Sequence, residues 1–179
     1  MPLHNPAMEP RRKGLLALLP AELILENERV ATNIVLASSQ FVLLVAVDMR
    51  TNFSQILVKA LNQRLHEYEK SLNASNSENE LSVVVLGDHA QGIPAGWARA
   101  PSAASRGLDD LYSLYISQLP TLLAIDATTG FKISKESEEL AIEWNRLDEC
   151  IERWKQGRSA LTELQRIRAT LTFPTCSLL

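Results

Sequence analysis

Three kinds of residue in this chain could do chemistry: two acids that follow apolar runs, two cysteines and three histidines. Asp48 comes directly after Phe41–Val47 and Asp88 two residues beyond Leu81–Leu86, with Arg50 two places past the first acid. Acids just past the carboxyl ends of central strands occupy the place where open α/β sheets bind ligands. The alternative role for the same groups is helix capping and ion pairing that fixes the loops. A phosphatase-like reading needs a second acid at position 50, where Arg50 stands, and no phosphate-cradling Gly loop with its Lys is present. Cys150 and Cys176 are too few for a secreted disulfide framework and make no ligand cluster. His4, His66 and His89 fall in an arm, a helix and a loop without ligand spacing, so neither a metal nor a cofactor is expected. The last four residues, Cys176-Ser177-Leu178-Leu179, match the C-a-a-X prenylation pattern. Arg158, Arg166 and Arg168 lie upstream of it and could assist at an anionic membrane.

The whole chain bounds these options. Its 179 residues fall within the ~100–200 of one domain, large enough to bury a core without disulfides. A 46% hydrophobic and 22% charged composition is that of an ordinary globular protein. The net charge of -3 leaves no surplus of Lys and Arg to neutralise phosphates, which argues against nucleic acid as a partner. The apolar run Gly14–Leu19 after Arg11, Arg12 and Lys13 is too short for a secretory signal. No apolar stretch approaches the ~18–20 residues of a membrane span. A cytoplasmic location is expected, with a mitochondrial or membrane-associated one as the alternatives.

The elements that must position these residues follow from periodicity. Residues 1–13 read as a flexible arm, 14–157 as the main domain, and 158–179 as a C-terminal helix and tail. Leu15–Leu19 can begin a short helix and Glu22–Glu26 a strand. Phe41–Val47 is apolar on both faces, the pattern of a central strand covered by helices. Asn52 can cap a long helix with Phe53, Ile56, Leu57, Ala60, Leu61, Leu65, Tyr68 and Leu72 on one face. A polar turn, Ser71–Glu80, leads into a second buried strand at Leu81–Leu86, which implies a right-handed parallel crossover. Gly87–Arg106 is a long loop whose single large residue, Trp97, is either an exposed partner anchor or core packing. Gly107–Ser117 predicts a short helix, and Thr121–Asp126 with Phe131–Ile133 a hairpin in which Gly130 takes the left-handed conformation. Glu136–Trp154 and Ser159–Leu171 predict two more helices, the second with Leu161, Leu164, Ile167 and Leu171 in line.

Two parallel strands, a helix, and then Leu119-Pro120-Thr121 opening an antiparallel hairpin is an order similar to that of the thioredoxin fold. The stretch from Leu111 to Gly130, LYSLYISQLPTLLAIDATTG, resembles the tryparedoxin and nucleoredoxin branch, as does Leu81–Leu86 followed by Asp88 and a Trp97 loop. The likeness runs from about Leu15 to Trp154, and the Pro-Thr hairpin is its specific part. It implies an α/β three-layer sandwich, with a central mixed sheet flanked by helices and an extra C-terminal helix. It also implies a cis Leu119-Pro120 bond beside the active-site turn, shaping a peptide-binding groove.

The resemblance stops at its chemistry. That family carries a Cys-x-x-Cys where the first central strand turns into the long helix, because a helix N-terminus stabilises a thiolate. Here the turn reads Asp48-Met49-Arg50-Thr51-Asn52, and no residue in it can attack a disulfide. The expected function is a redox-inactive thioredoxin-like domain that binds a protein partner or serves in an assembly. Its candidate partner-binding residues are Asp48, Met49, Arg50, Trp97, Leu119, Pro120 and Thr121. The alternatives are a single-cysteine oxidoreductase using Cys150, a small-ligand site at Asp48 and Asp88, and a prenylated adaptor anchored through Cys176.

Overall fold

The computed structural model describes residues 16, 19–87, 91–100, 119–134 and 138–172. The expected N-terminal arm, the 107–117 helix, Asp88, His4, His89 and Cys176 lie outside the described residues. Within them, six strands form one mixed sheet. They are β1 (Glu22–Leu25), β2 (Glu28–Ala31), β3 (Phe41–Ala46), β4 (Leu81–Leu86), β5 (Ala98–Arg99) and β6 (Thr121–Asp126), in the spatial order β2-β1-β5-β4-β3-β6. The helices are α1 (Thr32–Val35), α2 (Asn52–Ser75), α3 (Glu139–Trp144), α4 (Leu147–Lys155) and α5 (Glu163–Thr172).

All six residues of β3 are buried, as a strand covered on both faces requires. It pairs in parallel with β4, Phe41 opposite Leu81 through Ala46 opposite Leu86. On its other side it runs antiparallel to β6, with Ala46 opposite Thr121. The alternating side chains feed two cores. Leu43, Val45, Val83, Val85 and Leu122 pack under α2, α3 and α4, joined by Leu61 and Trp154. Val42, Leu44, Val84, Leu86 and Ile125 face the opposite side with Leu23 and Leu36. Each fully buried aliphatic side chain contributes about 1.5–3 kcal/mol, so this alternation is the main reason the sheet holds its register.

Several elements differ from expectation. The Glu22–Glu26 strand is half of a hairpin with β2, turned by Glu26 and Asn27, both at positive φ. The 87–106 loop carries the two-residue strand β5. The long helix buries Leu57, Val58, Leu61 and Tyr68, but Phe53 and Ile56 point to solvent. Thr51 rather than Asn52 is its cap: the Thr51 hydroxyl accepts the Ser54 N–H. The Glu136–Trp154 helix breaks at Asn145-Arg146. There the Asn145 amide is drawn to Ala141 O and to the Gln165 side chain, competing with the helical backbone. Arg64 of α2 covers the carbonyls of Ile142 and Glu143 at the end of α3. The 159–171 helix begins only at Glu163. Leu161 is buried ahead of it, while Leu164, Ile167 and Leu171 are exposed, so the apolar stripe read there is a surface. Beyond β6, residues 131–133 return as a single bridge, Ile125 to Lys132, rather than a full strand. Gly130 closes that turn at φ +71°.

Candidate functional site

Asp48, Met49, Arg50, Leu119, Pro120 and Thr121 come together where β3 runs into α2. The chain turns so tightly there that each polar group finds a near neighbour. The Asp48 carboxylate accepts from the Arg50 N–H at 3.0 Å, from its Nε at 2.9 Å and from its Nη2 at 2.6 Å. This two-pronged clamp raises the Arg50 guanidinium pKa, chiefly through the hydrogen bond to Asp48. The Asp48 N–H donates to Ser54 Oγ, a fully buried hydroxyl, at 3.1 Å. Thr51 Oγ1 donates to Asp48 O, and Gln55 Nε2 donates to Met49 O, both at 2.9 Å. Asp48 is therefore engaged in ion pairing and in fixing the turn.

Beside it lies the entry to β6. The Leu119–Pro120 peptide is cis. Because Thr121 sits opposite Ala46, the antiparallel register carried one residue further puts Pro120 beside Val47, at the base of the turn. On the parallel side, Gly87 follows β4 with φ +139°, and a Cβ there would collide with Val47 O. Only glycine lets the two strand ends approach so closely. Sequence reading passed over Gly87; its position directly after an apolar strand was the available signal.

Around this turn the surface is mixed. Arg50 is exposed, Met49 is partly buried, and Phe53 and Ile56 are 74% and 55% exposed on the first turns of α2. Neither apolar residue was named as a site from sequence, since both fit the helix's buried stripe. Leu119 and Pro120 are half-buried and Thr121 is buried. Trp97 is not brought here. It is 6% exposed in the α2-side core, beside the first half of β4, so it acts as packing rather than as an exposed anchor. Cys150 is fully buried on α4, and burial pushes its thiol up to about 12. Two adjacent acids also stand out. Glu138 is buried and accepts from Ala160 N–H and Ser134 Oγ. Glu139 accepts the Leu122 N–H at 2.8 Å, and its own burial pushes it up to about 7.

A parallel β3–α2–β4 unit, an antiparallel β6 entered through a cis proline, and helices over the mixed sheet make one recognisable arrangement. The chain has a thioredoxin fold. Thioredoxin from Wuchereria bancrofti superposes with a TM-score of 0.58 at 14% identity, covering 78% of this chain and 96% of that one. Tryparedoxin I from Leishmania major gives 0.56 at 16% identity, covering 72% and 88%, and tryparedoxin II from C. fasciculata gives 0.56 at 12%, covering 72% and 90%. No family model and no curated protein matches the chain. Tryparedoxin structures thus recur among the thioredoxin folds it resembles, at identities that establish the shared architecture. Within that fold, the β3–α2 turn of this sequence holds Asp48 through Asn52 and no cysteine.

Proposed function

We propose that this chain is a redox-inactive thioredoxin-fold protein that binds another protein, as a subunit of an assembly. The observation that carries the reading is the β3–α2 turn, where a dithiol of the tryparedoxin kind would stand. It is filled by a hydrogen-bonded Asp48–Arg50–Thr51–Ser54 network and bordered by exposed Phe53 and Ile56. Apolar side chains held in solvent beside a rigid turn cost little to desolvate further and gain when a partner covers them. Met49, Arg50, Leu119, Pro120 and Thr121 form the remainder of the proposed contact region. Residues 14–157 make the body of the domain and 158–179 an appended helix and tail. The single-cysteine alternative fares worse: the Cys150 thiol is buried, stays protonated at neutral pH and hydrogen-bonds weakly to Ala141 O at 3.9 Å.

A photo-crosslinking amino acid placed at position 53 tests this in native cells, with position 163 on α5 as the control. One discrete adduct at 53 that is absent at 163 is expected. Recovery of the protein only as an unmodified monomer from both positions refutes the proposal.

A further inference from the structure

We propose that the cleft beside the first half of β4 is a second binding site, which takes an extended basic peptide by pairing its backbone with Leu81 and Val83. The site lies at the opposite end of β4 from the Asp48 turn and is independent of the function proposed above.

The sheet is incomplete here. β4 pairs with β3 along all six of its residues, but with β5 only at Val84 and Val85. The Ala100 N–H donates to Val85 O at 2.9 Å, so the peptide groups of Val85 point toward β5. Peptide groups alternate sides along a strand, which aims those of Val83 and Leu81 the same way. The Leu81 N–H is taken by Asn79 Oδ1 at 2.9 Å. Continuing the β5 ladder, the Val83 carbonyl faces the amide of Ala98. Ahead of β5 the chain turns aside, the Trp97 N–H donating to Pro94 O and Gly96 at φ +86°, so the Val83 N–H and the Leu81 C=O face the cleft that Ala95 and Gly96 also line, with no strand beyond them among the described residues. One donor and one acceptor in this order are what a single residue of a parallel strand engages: its N–H to Leu81 O, and its C=O from Val83 N–H.

The space outside them is a cleft of about 460 Å³, within the ~300–1,000 Å³ of ligand sites. One wall is apolar, built from Leu65, Leu81, Val83 and Trp97. The other includes Ile34, an isoleucine 66% exposed on the four-residue helix α1. Residues of an added strand would alternate between these walls, which favours apolar side chains. Glu69 is the carboxylate among the lining residues, which include His66 but no Lys or Arg. A Lys or Arg on the incoming segment supplies the complement.

The test is an NMR titration of the full chain, ¹⁵N-labelled, with the capped peptide Ac-Val-Lys-Val-Lys-Val-NH₂. The Val83 amide resonance should shift and its hydrogen exchange should slow. The fully N-methylated peptide should bind at least about five-fold more weakly, having lost its donors. Glu69→Gln, an exposed substitution that leaves the core intact, should weaken the lysine peptide about two-fold and leave Ac-Val-Gln-Val-Gln-Val-NH₂ unchanged. An unmoved Val83 amide at millimolar peptide, or equal affinity for the N-methylated peptide, overturns the proposal. So do shifts confined to residues 48–56.

Discussion

Glu139→Gln should remove a pH dependence of stability that the wild-type chain carries near neutrality. The Glu139 carboxyl lies in the first turn of α3 with its Oε1 on the Leu122 N–H. Burial raises its pKa from 4.5 to about 7, and the neighbouring Glu138 charge adds to the rise; the Leu122 N–H and Lys132 pull it back only in part. A carboxyl whose folded pKa lies above its unfolded value holds its proton more tightly in the native state. Its contribution is fully present below pH 4.5 and is lost as pH rises through 7. A rise from 4.5 to about 7 corresponds to about 3 kcal/mol, an upper figure for a group that is only half-buried by surface area. The glutamine keeps a carbonyl for Leu122 and has no charge to desolvate. Urea unfolding at pH 5 and pH 8 should therefore show the wild type losing stability between the two, with the variant losing less by up to about 3 kcal/mol. The variant should also be the more stable protein at pH 8. Parallel pH profiles for the two proteins would refute the reasoning.

Four further outcomes follow from the same structure. In a Cys176→Ser protein, Cys150 should resist Ellman's reagent until denaturant is added, because its thiol is buried and raised to about 12; stoichiometric labelling of the native state would contradict this. Gly87→Ala should cost at least about 2 kcal/mol in chemical denaturation, since the new Cβ meets Val47 O and the backbone φ is +139°. Thr51→Ala should cost about 1 kcal/mol through loss of the α2 cap. Leu164→Gln should stay within about 0.5 kcal/mol of wild type, because Leu164 is 80% exposed.

The sheet was legible because Phe41–Val47 and Leu81–Leu86 are apolar on both faces, a pattern that few structures other than a covered strand can bury. The Pro120-Thr121 entry to β6 was legible from its turn chemistry and its resemblance. The hairpin partner β2 was not, since Glu28-Arg29-Val30-Ala31 is an edge strand with only two inward positions and no Asn-Gly turn. β5 is two residues long and exists through its neighbours alone. Helical spacing misled twice in the same way. Phe53 and Ile56 in α2, and Leu164, Ile167 and Leu171 in α5, keep an apolar period while facing solvent. Periodicity tells which residues share a face, and tertiary packing decides whether anything covers it. At the candidate site, the sequence already offered ion pairing and capping as a role for Asp48 and Arg50. The contribution of Ser54, and the swing of Trp97 into the core, needed coordinates.

Insulin disulfide reduction in the presence of dithiothreitol tests the central claim most directly. With the chain added, the rate should equal that of dithiothreitol alone, because the β3–α2 turn offers no thiolate and Cys150 is buried. An acceleration that disappears in Cys150→Ser or Cys176→Ser would show that the chain exchanges disulfides after all.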